Sequence, residues 1–428
     1  MRKQTKWLER ARMLLSLPLS GQAIKYFPPE FVLRDPIASR IYRQLKHDYG
    51  CALILLNLEN FHPLQYAMSA AEVGMIERTI RHEIRRVLPL FFVEKCILGA
   101  RQMHGEDYCL FISARKNQLP RLHDTARLIR DELERRINAL VDTSRYGRMH
   151  FRFGFYMIEK SDLPLATAMS LAYHYAHAVA TKKLPENFYC TRKQLADIIA
   201  TGNIHVLFQP ILNLQSGIIY GWEVLTRGPE NTVFYQPTEL FELAYQSDLL
   251  TELERLVFKK AIDQISRQLI GEQVFINITA VSLAEPRFFD SVLEILYEYP
   301  EINTRNLVLE ITEAHSIRDF DHTAAMIRNY RAQGFRFAID DAGSGYSSLQ
   351  TISQLIPDLI KIDKSLIQNI DRVAVKQSLL RALVGLAAEI NCQIIAEGIE
   401  RKEEAELLSQ HRIEMGQGFY FAKPQIAI

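Results

Sequence analysis

Along residues 190–428, short apolar runs alternate with longer stretches in which apolar positions recur every three to four residues. The runs fall at 206–211, 218–225, 274–278, 307–311, 335–339, 359–362, 393–396 and 418–421, and most lead into a polar or charged residue. Brief apolar runs read as strands and the longer period as helices, so eight runs predict a (β/α)₈ barrel. Only residues 213–217 separate the first two runs, whereas a parallel crossover needs about a dozen residues or more. The barrel is therefore expected to open with an antiparallel hairpin through Asn213-Leu-Gln-Ser-Gly. An open doubly wound sheet is the competing arrangement.

The preceding stretch has another rhythm. Strand-like runs at 52–58, 108–113 and 151–158 are interleaved with helix-like segments at 69–87, 124–140 and 163–180. This predicts a separate α/β or α+β domain over 36–182, ended by the polar, Pro185-containing segment 182–188. Residues 1–35 read as a helical extension broken at Pro28-Pro29. The expected division is 1–35, 36–182 and 190–428.

Composition narrows the classes. Lys and Arg total 51 against 50 Asp and Glu, giving a net charge of +1, and no basic-aromatic track suits a nucleic-acid polymer. The five cysteines lack C-x-x-C pairing, and most sit in or beside apolar runs, as reduced residues of a cytoplasmic protein would. No segment reaches 18 apolar residues, so membrane insertion is not expected.

In a barrel of this kind the carboxyl ends of the strands meet in one mouth. Those ends carry Glu223, Asn277, Glu310, Asp340-Asp341, Lys361 with Asp363, Glu397 and Gln417. Several unpaired carboxylates crowded together repel, and bound divalent metal relieves them; oxygen and amide donors favour Mg²⁺ or Mn²⁺ over zinc. Such a site suits phosphodiester hydrolysis. Lys361 can orient water or stabilise a transition state, or it can simply pair with Asp363. Arg227 can clamp a phosphate or bridge to Glu223; Glu313 can anchor the next loop or cap a helix. The sharpest local signal is Asp340-Asp341-Ala-Gly-Ser-Gly-Tyr-Ser-Ser, two acids entering a loop whose glycines and serines can cradle phosphate or cap the following helix.

Ordered motifs over about 200–424 resemble the EAL-domain phosphodiesterases, which open cyclic di-GMP to linear pGpG. They are Gln209-Pro-Ile, Glu223-Val-Leu-Thr-Arg227, Phe275-Ile-Asn277, Leu309-Glu-Ile-Thr-Glu313, Ile339-Asp-Asp-Ala-Gly-Ser-Gly-Tyr, Lys361-Ile-Asp363, Ala396-Glu-Gly-Ile-Glu400 and Gly416-Gln-Gly-Phe-Tyr-Phe-Ala-Lys-Pro424. The resemblance implies a modified TIM barrel and two Mg²⁺ or Mn²⁺ ions. It implies metal ligands at Glu223, Asn277, Glu310, Asp340, Asp341 and Glu397, with Lys361 and Glu397 positioning water and Glu313 steadying the loop. Gln209, Arg227 and Gln417 would contact substrate, supported by Asp363 and Glu400. Two departures are Val224 in the namesake Glu-Ala-Leu triad and Ala342 where an aromatic residue is usual. The alternative is a receptor that binds cyclic di-GMP without turnover.

The first domain resembles a degenerate GGDEF diguanylate cyclase. Asn57 stands for an expected metal-binding aspartate, and His104-Gly-Glu-Asp-Tyr108 occupies the signature hairpin, with Glu106 retained. The Lys95-Cys-Ile-Leu98 stretch lacks the inhibitory Arg-x-x-Asp, and 151–155 resembles a later strand. The resemblance implies no cyclase activity and a regulatory or dimerising role. A homodimer and an unidentified regulatory protein are the expected partners besides cyclic di-GMP.

Overall fold

The computed structural model describes residues 35–426, apart from 48, 60, 62–64, 67, 104, 116–118, 313–316, 318 and 343–345. The expected extension thus lies, but for Asp35, outside the described residues. Two compact units divide the chain, Met1–Thr191 and Arg192–Ile428. This division exposes something the near-zero net charge conceals. The first unit holds 29 Lys and Arg against 19 Asp and Glu, a surplus of 10 positive charges, and the second carries a negative surplus of 9.

In the first unit, strands β1 (Gly50–Leu58), β2 (Ile97–Met103), β3 (Asp107–Ala114) and β4 (Phe151–Ile158) form an antiparallel sheet in the order β2-β3-β1-β4. β1 is buried along its whole length, which explains its unbroken apolar run. Strand β2 was not foreseen. As an edge strand, Ile97-Leu-Gly-Ala-Arg-Gln-Met is mostly half-exposed and carries little hydrophobic signal. The helix Ala70–Phe91 starts with a reciprocal Ser69–Glu72 capping box. Cys51 and Cys109 are buried and Cys190 is exposed; all five cysteines are free.

The second unit is a closed eight-stranded barrel. Its strands are β5 (His205–Asn213), β6 (Ile219–Arg227), β7 (Gln273–Thr279), β8 (Leu307–Thr312), β9 (Arg336–Ala342), β10 (Leu359–Ile362), β11 (Gln393–Ala396) and β12 (Met415–Gly416). β5 runs antiparallel to both its neighbours, β6 and β12. The reversal happens where expected: Asn213 Oδ1 accepts from the backbone N–H groups of Gln215 and Ser216, and Gly217 supplies a positive φ of 69°. The doubly wound alternative is excluded by closure.

The eighth strand is not at 418–421. It is the two-residue β12, and 418–421 form a turn in which Phe421 N–H donates to the Gly418 carbonyl. The run misled because Phe419 and Tyr420 are exposed, while Gly418 packs so close to the chain that a Cβ there would lie 2.0 Å from the Ile399 carbonyl oxygen.

Strand periodicity then divides the barrel into layers. Ile211, Phe275, Val308, Ala338, Leu359, Ile395 and Met415 meet as one buried apolar cluster. Two residues along each of these strands toward the mouth stand Gln209, Asn277, Glu310, Asp340, Lys361, Glu397 and Gln417. Alternate residues such as Trp222, Ile276, Leu309, Phe337 and Ile360 join the core shared with the surrounding helices. A buried apolar floor therefore underlies a polar layer.

Candidate functional site

At the centre of the polar layer is Lys361, fully buried. Its ammonium contacts carboxylates of Glu310 and Glu397, lies 3.3 Å from Glu223 Oε1 and 4.0 Å from Asp340 Oδ1. The simple pairing with Asp363 is not what the structure shows. Asp363 instead caps the turn Lys364–Ile367, accepting from Ser365 N–H at 2.9 Å. Desolvation pushes the Lys361 ammonium down, but Glu223, Glu310, Glu397 and Asp340 outweigh it and hold it well above its ordinary value.

One ammonium among four acids leaves the layer short of positive charge. Burial raises the Glu310 carboxyl well above the usual range despite Lys361, with Asp340, Glu223 and Glu397 adding to the rise. Burial, then the surrounding acids, also push Glu397 up to about 8. Asp341 is raised to about 6 by burial, Asp340 and Asp363. Asp363 goes the other way: desolvation opposes ionisation, but hydrogen bonds from Ser365 and Asp341 keep it low.

Side-chain amides fix the acids from the sides. Gln417 Nε2 donates to Glu223 Oε2 at 2.5 Å and to Gln209 Oε1 at 3.0 Å, while Gln209 Nε2 donates to the Ala422 carbonyl. Asn277 Nδ2 reaches Glu223 Oε1 at 3.3 Å and pairs in register with Glu310. Two overlapping oxygen groups result, Glu223–Glu310–Glu397 and Asp340–Asp341–Glu397, each with ligand atoms within 4.8 Å of one another. Asp341 holds a left-handed φ of 55°, and its N–H donates to Asp340 Oδ1. That backbone turns consecutive acids toward the same mouth.

Other expected residues stand apart. Arg227 does not bridge to Glu223; its guanidinium donates to the Thr226 carbonyl at 2.8 Å, at the mouth end of β6. Glu400 is exposed and accepts from Gln368, so it is outside the acidic groups. Glu313 and the loop glycines at 343 and 345 lie outside the described residues.

A buried carboxylate also escaped the sequence reading. Glu254, on the helix Leu250–Gln268, accepts from Thr279 N–H at 2.8 Å and Thr279 Oγ1 at 3.2 Å. Burial pushes it up to about 7. The one available signal was a charged residue on the apolar stripe formed by Leu250, Leu253 and Val257.

In the first unit, Asn57 and Asp107 face each other across β1 and β3, and the Asn57 amide donates to Asp107 Oδ1 at 2.8 Å. Tyr173 Oη donates to Asp107 Oδ2 at 2.5 Å, and His177 Nε2 lies 3.8 Å from it. Both oxygens of this buried aspartate are thus occupied by protein groups. His104 lies outside the described residues.

The family model described as EAL domain matches residues 192–424. The cyclic di-GMP phosphodiesterase PdeR of Escherichia coli strain K12 is 32% identical over 230 residues, 52% of this chain and 34% of that protein. MucR of Pseudomonas aeruginosa, a bifunctional diguanylate cyclase/cyclic di-GMP phosphodiesterase, is 24% identical over 449 residues, 97% of this chain and 62% of its own length. The chain spans less than half the length of the first curated relatives it matches. Among solved structures, the PaMucR phosphodiesterase complex with c-di-GMP aligns with a TM-score of 0.50 at 27% identity, covering 55% of this chain and 98% of that one.

Proposed function

The chain belongs to the EAL domain family, and from that premise we propose that its barrel hydrolyses cyclic di-GMP to linear pGpG with two bound Mg²⁺ or Mn²⁺ ions. The observation that carries this reading is the polar layer itself: four acids and one ammonium gathered above a buried apolar floor, with charge left to neutralise. A divalent cation fits the residues present. The donors are carboxylate and amide oxygens, and Glu310 Oε2 is buried with no hydrogen-bond partner among the described residues. Glu223, Asn277, Glu310, Asp340, Asp341 and Glu397 would hold the ions, which when bound supply an acidified water and positive charge against the phosphoryl oxygens.

The chain's own residues prepare that chemistry. Lys361 keeps Glu223, Glu310 and Glu397 converged against their repulsion. Gln417 and Asn277 restrain the Glu223 carboxylate, and Gln209 and Arg227 offer amide and guanidinium groups to the substrate. The apolar layer below closes the barrel to water from beneath. In the reaction, water oxygen adds to phosphorus as one P–O3′ bond breaks, leaving a 5′-phosphate and a free 3′-hydroxyl.

We assign the first unit to a silent GGDEF-like domain in a regulatory or dimerising role. The MucR alignment over 97% of the chain supports it, as does the hydrogen-bonded Asn57–Asp107 pair where a cation would be held. A homodimer is the expected assembly. Among the described residues no helix is long and apolar enough to cross a membrane.

The test is incubation of purified protein with cyclic di-GMP in Mg²⁺, Mn²⁺ or EDTA, with products resolved by chromatography. Metal-dependent pGpG that vanishes in Glu223→Ala supports the enzyme. Saturable binding with intact substrate in every tube would replace it with a receptor.

A further inference from the structure

Behind the barrel wall, Glu254 is a carboxylate only 3% exposed, on the helix Leu250–Gln268 and bonded to the mouth end of β7. Its hydrogen-bond partners are neutral groups: the Thr279 N–H, the Thr279 hydroxyl and the Ser282 hydroxyl. A carboxylate in such surroundings is a costly choice over an apolar residue, unless its acceptor geometry is needed.

What it holds is the residue at which β7 ends. Thr279 is the last residue of the strand, and its hydroxyl accepts from Ser282 N–H at 3.4 Å to cap the short helix Ala280–Leu283. Two residues earlier Asn277 enters the polar layer opposite Glu310. Asn277's own contacts there are long, 3.3 Å to Glu223 Oε1 and 3.5 Å to the Val224 carbonyl, so they fix it weakly. The ladder to β8 holds this strand end on one side, through Asn277–Glu310 and Thr279–Thr312, and the 2.8 Å bond from Thr279 N–H to Glu254 is a further anchor there.

We propose that Glu254 is a positioning residue: by gripping Thr279 from outside the barrel it sets where the Asn277 side chain stands beside Glu223 and Glu310, and so the affinity of the mouth for a divalent cation. This rests on the metal-site reading above. Residues that orient a ligand from outside typically govern affinity by about 10–100-fold.

The experiment titrates Mn²⁺ into the full purified chain and follows the free-ion signal by electron paramagnetic resonance, beside thermal melts in EDTA. E254A should weaken Mn²⁺ binding about tenfold or more. E254Q, which keeps an acceptor for the Thr279 N–H, should recover most of that loss. T279V removes the hydroxyl, with its contact to Glu254 and its cap on Ser282 N–H, but keeps the backbone bond to Glu254; it should shift affinity in the same direction by a smaller factor, which keeps the test decisive if E254A does not fold. A variant set with lowered melting temperature but unchanged Mn²⁺ affinity would overturn the positioning role and leave Glu254 as a packing element. Absence of Mn²⁺ binding by the parent protein would instead sink the metal-site reading itself.

Discussion

Lys361→Met tests the electrostatic reading of the mouth most directly. The substitution keeps a flexible, volume-filling side chain in the barrel and removes its ammonium. Contacts to Glu310 and Glu397, the 3.3 Å contact to Glu223 and the 4.0 Å approach to Asp340 all lose their cation at once. Breaking a buried pair by deleting one partner costs about 3–5 kcal/mol. For a unit of this size each kcal/mol moves the melting temperature by about 2–4 °C, so a fall of about 6–20 °C is expected in EDTA. The deficit should depend on pH with a definite sign. Glu397 is raised from 4.5 to about 8, so the folded form binds more protons than the unfolded one and stability falls as pH rises through that window. Lys361 limits the fall; without it the deficit should be largest near pH 8 and small near pH 5. Mn²⁺ should restore part of it. Fluorescence of Trp222, buried in the barrel, in a Trp7→Phe background reports the relevant transition. A variant that melts with the parent protein at pH 8 in EDTA would refute the view that the ammonium holds the acids together.

Three further outcomes follow from other parts of the molecule. Because Asp341 is raised to about 6 and Glu397 to about 8, a cation must displace their protons at lower pH; Mn²⁺ affinity should therefore strengthen between about pH 5 and 8, and rise less steeply around pH 6 in Asp341→Asn, as read by calorimetry. Asn57→Asp places a second carboxylate where an amide now bonds Asp107 at 2.8 Å, and should destabilise the first unit by about 1–3 kcal/mol at neutral pH, with recovery in acid, measured by urea unfolding. Gly418→Ala drives a Cβ to within 2.0 Å of the Ile399 carbonyl and should cost about 1–3 kcal/mol while disturbing neighbouring Gln417, seen as a lowered denaturant midpoint and a raised KM.

The barrel strands were legible wherever burial left a mostly apolar run of four residues or more, as in β7 through β11. The polar layer was legible too, because an acid, an amide or Lys361 stands two residues beyond the floor residue of each strand. What escaped lacked that contrast. β12 is too short for a period, and the aromatic run beside it faces solvent. β2 is an edge strand with weak alternation. The pairing of Lys361 with four acids depends on closure across strands distant in sequence, which no local spacing encodes. Glu254 belongs to the same class: its partner is 25 residues away and becomes adjacent only when the helix lies against the strand. The opposed charges of the two units were hidden by summing over the whole chain.

The antiparallel course of β5 also decides how the barrel is mechanically addressed. In an all-parallel barrel the incoming chain meets the first strand at the closed end, away from the ligands. Here His205 is level with Arg227, so the chain joins the wall at the open end, four residues before Gln209. Tension arriving along residues 192–204 would load the rim first, at the His205–Arg227 end of the β5–β6 ladder, and from there reach Gln209 and its contact with Gln417. The leading segment is thus attached like a drawstring to the mouth, while the floor is left undisturbed.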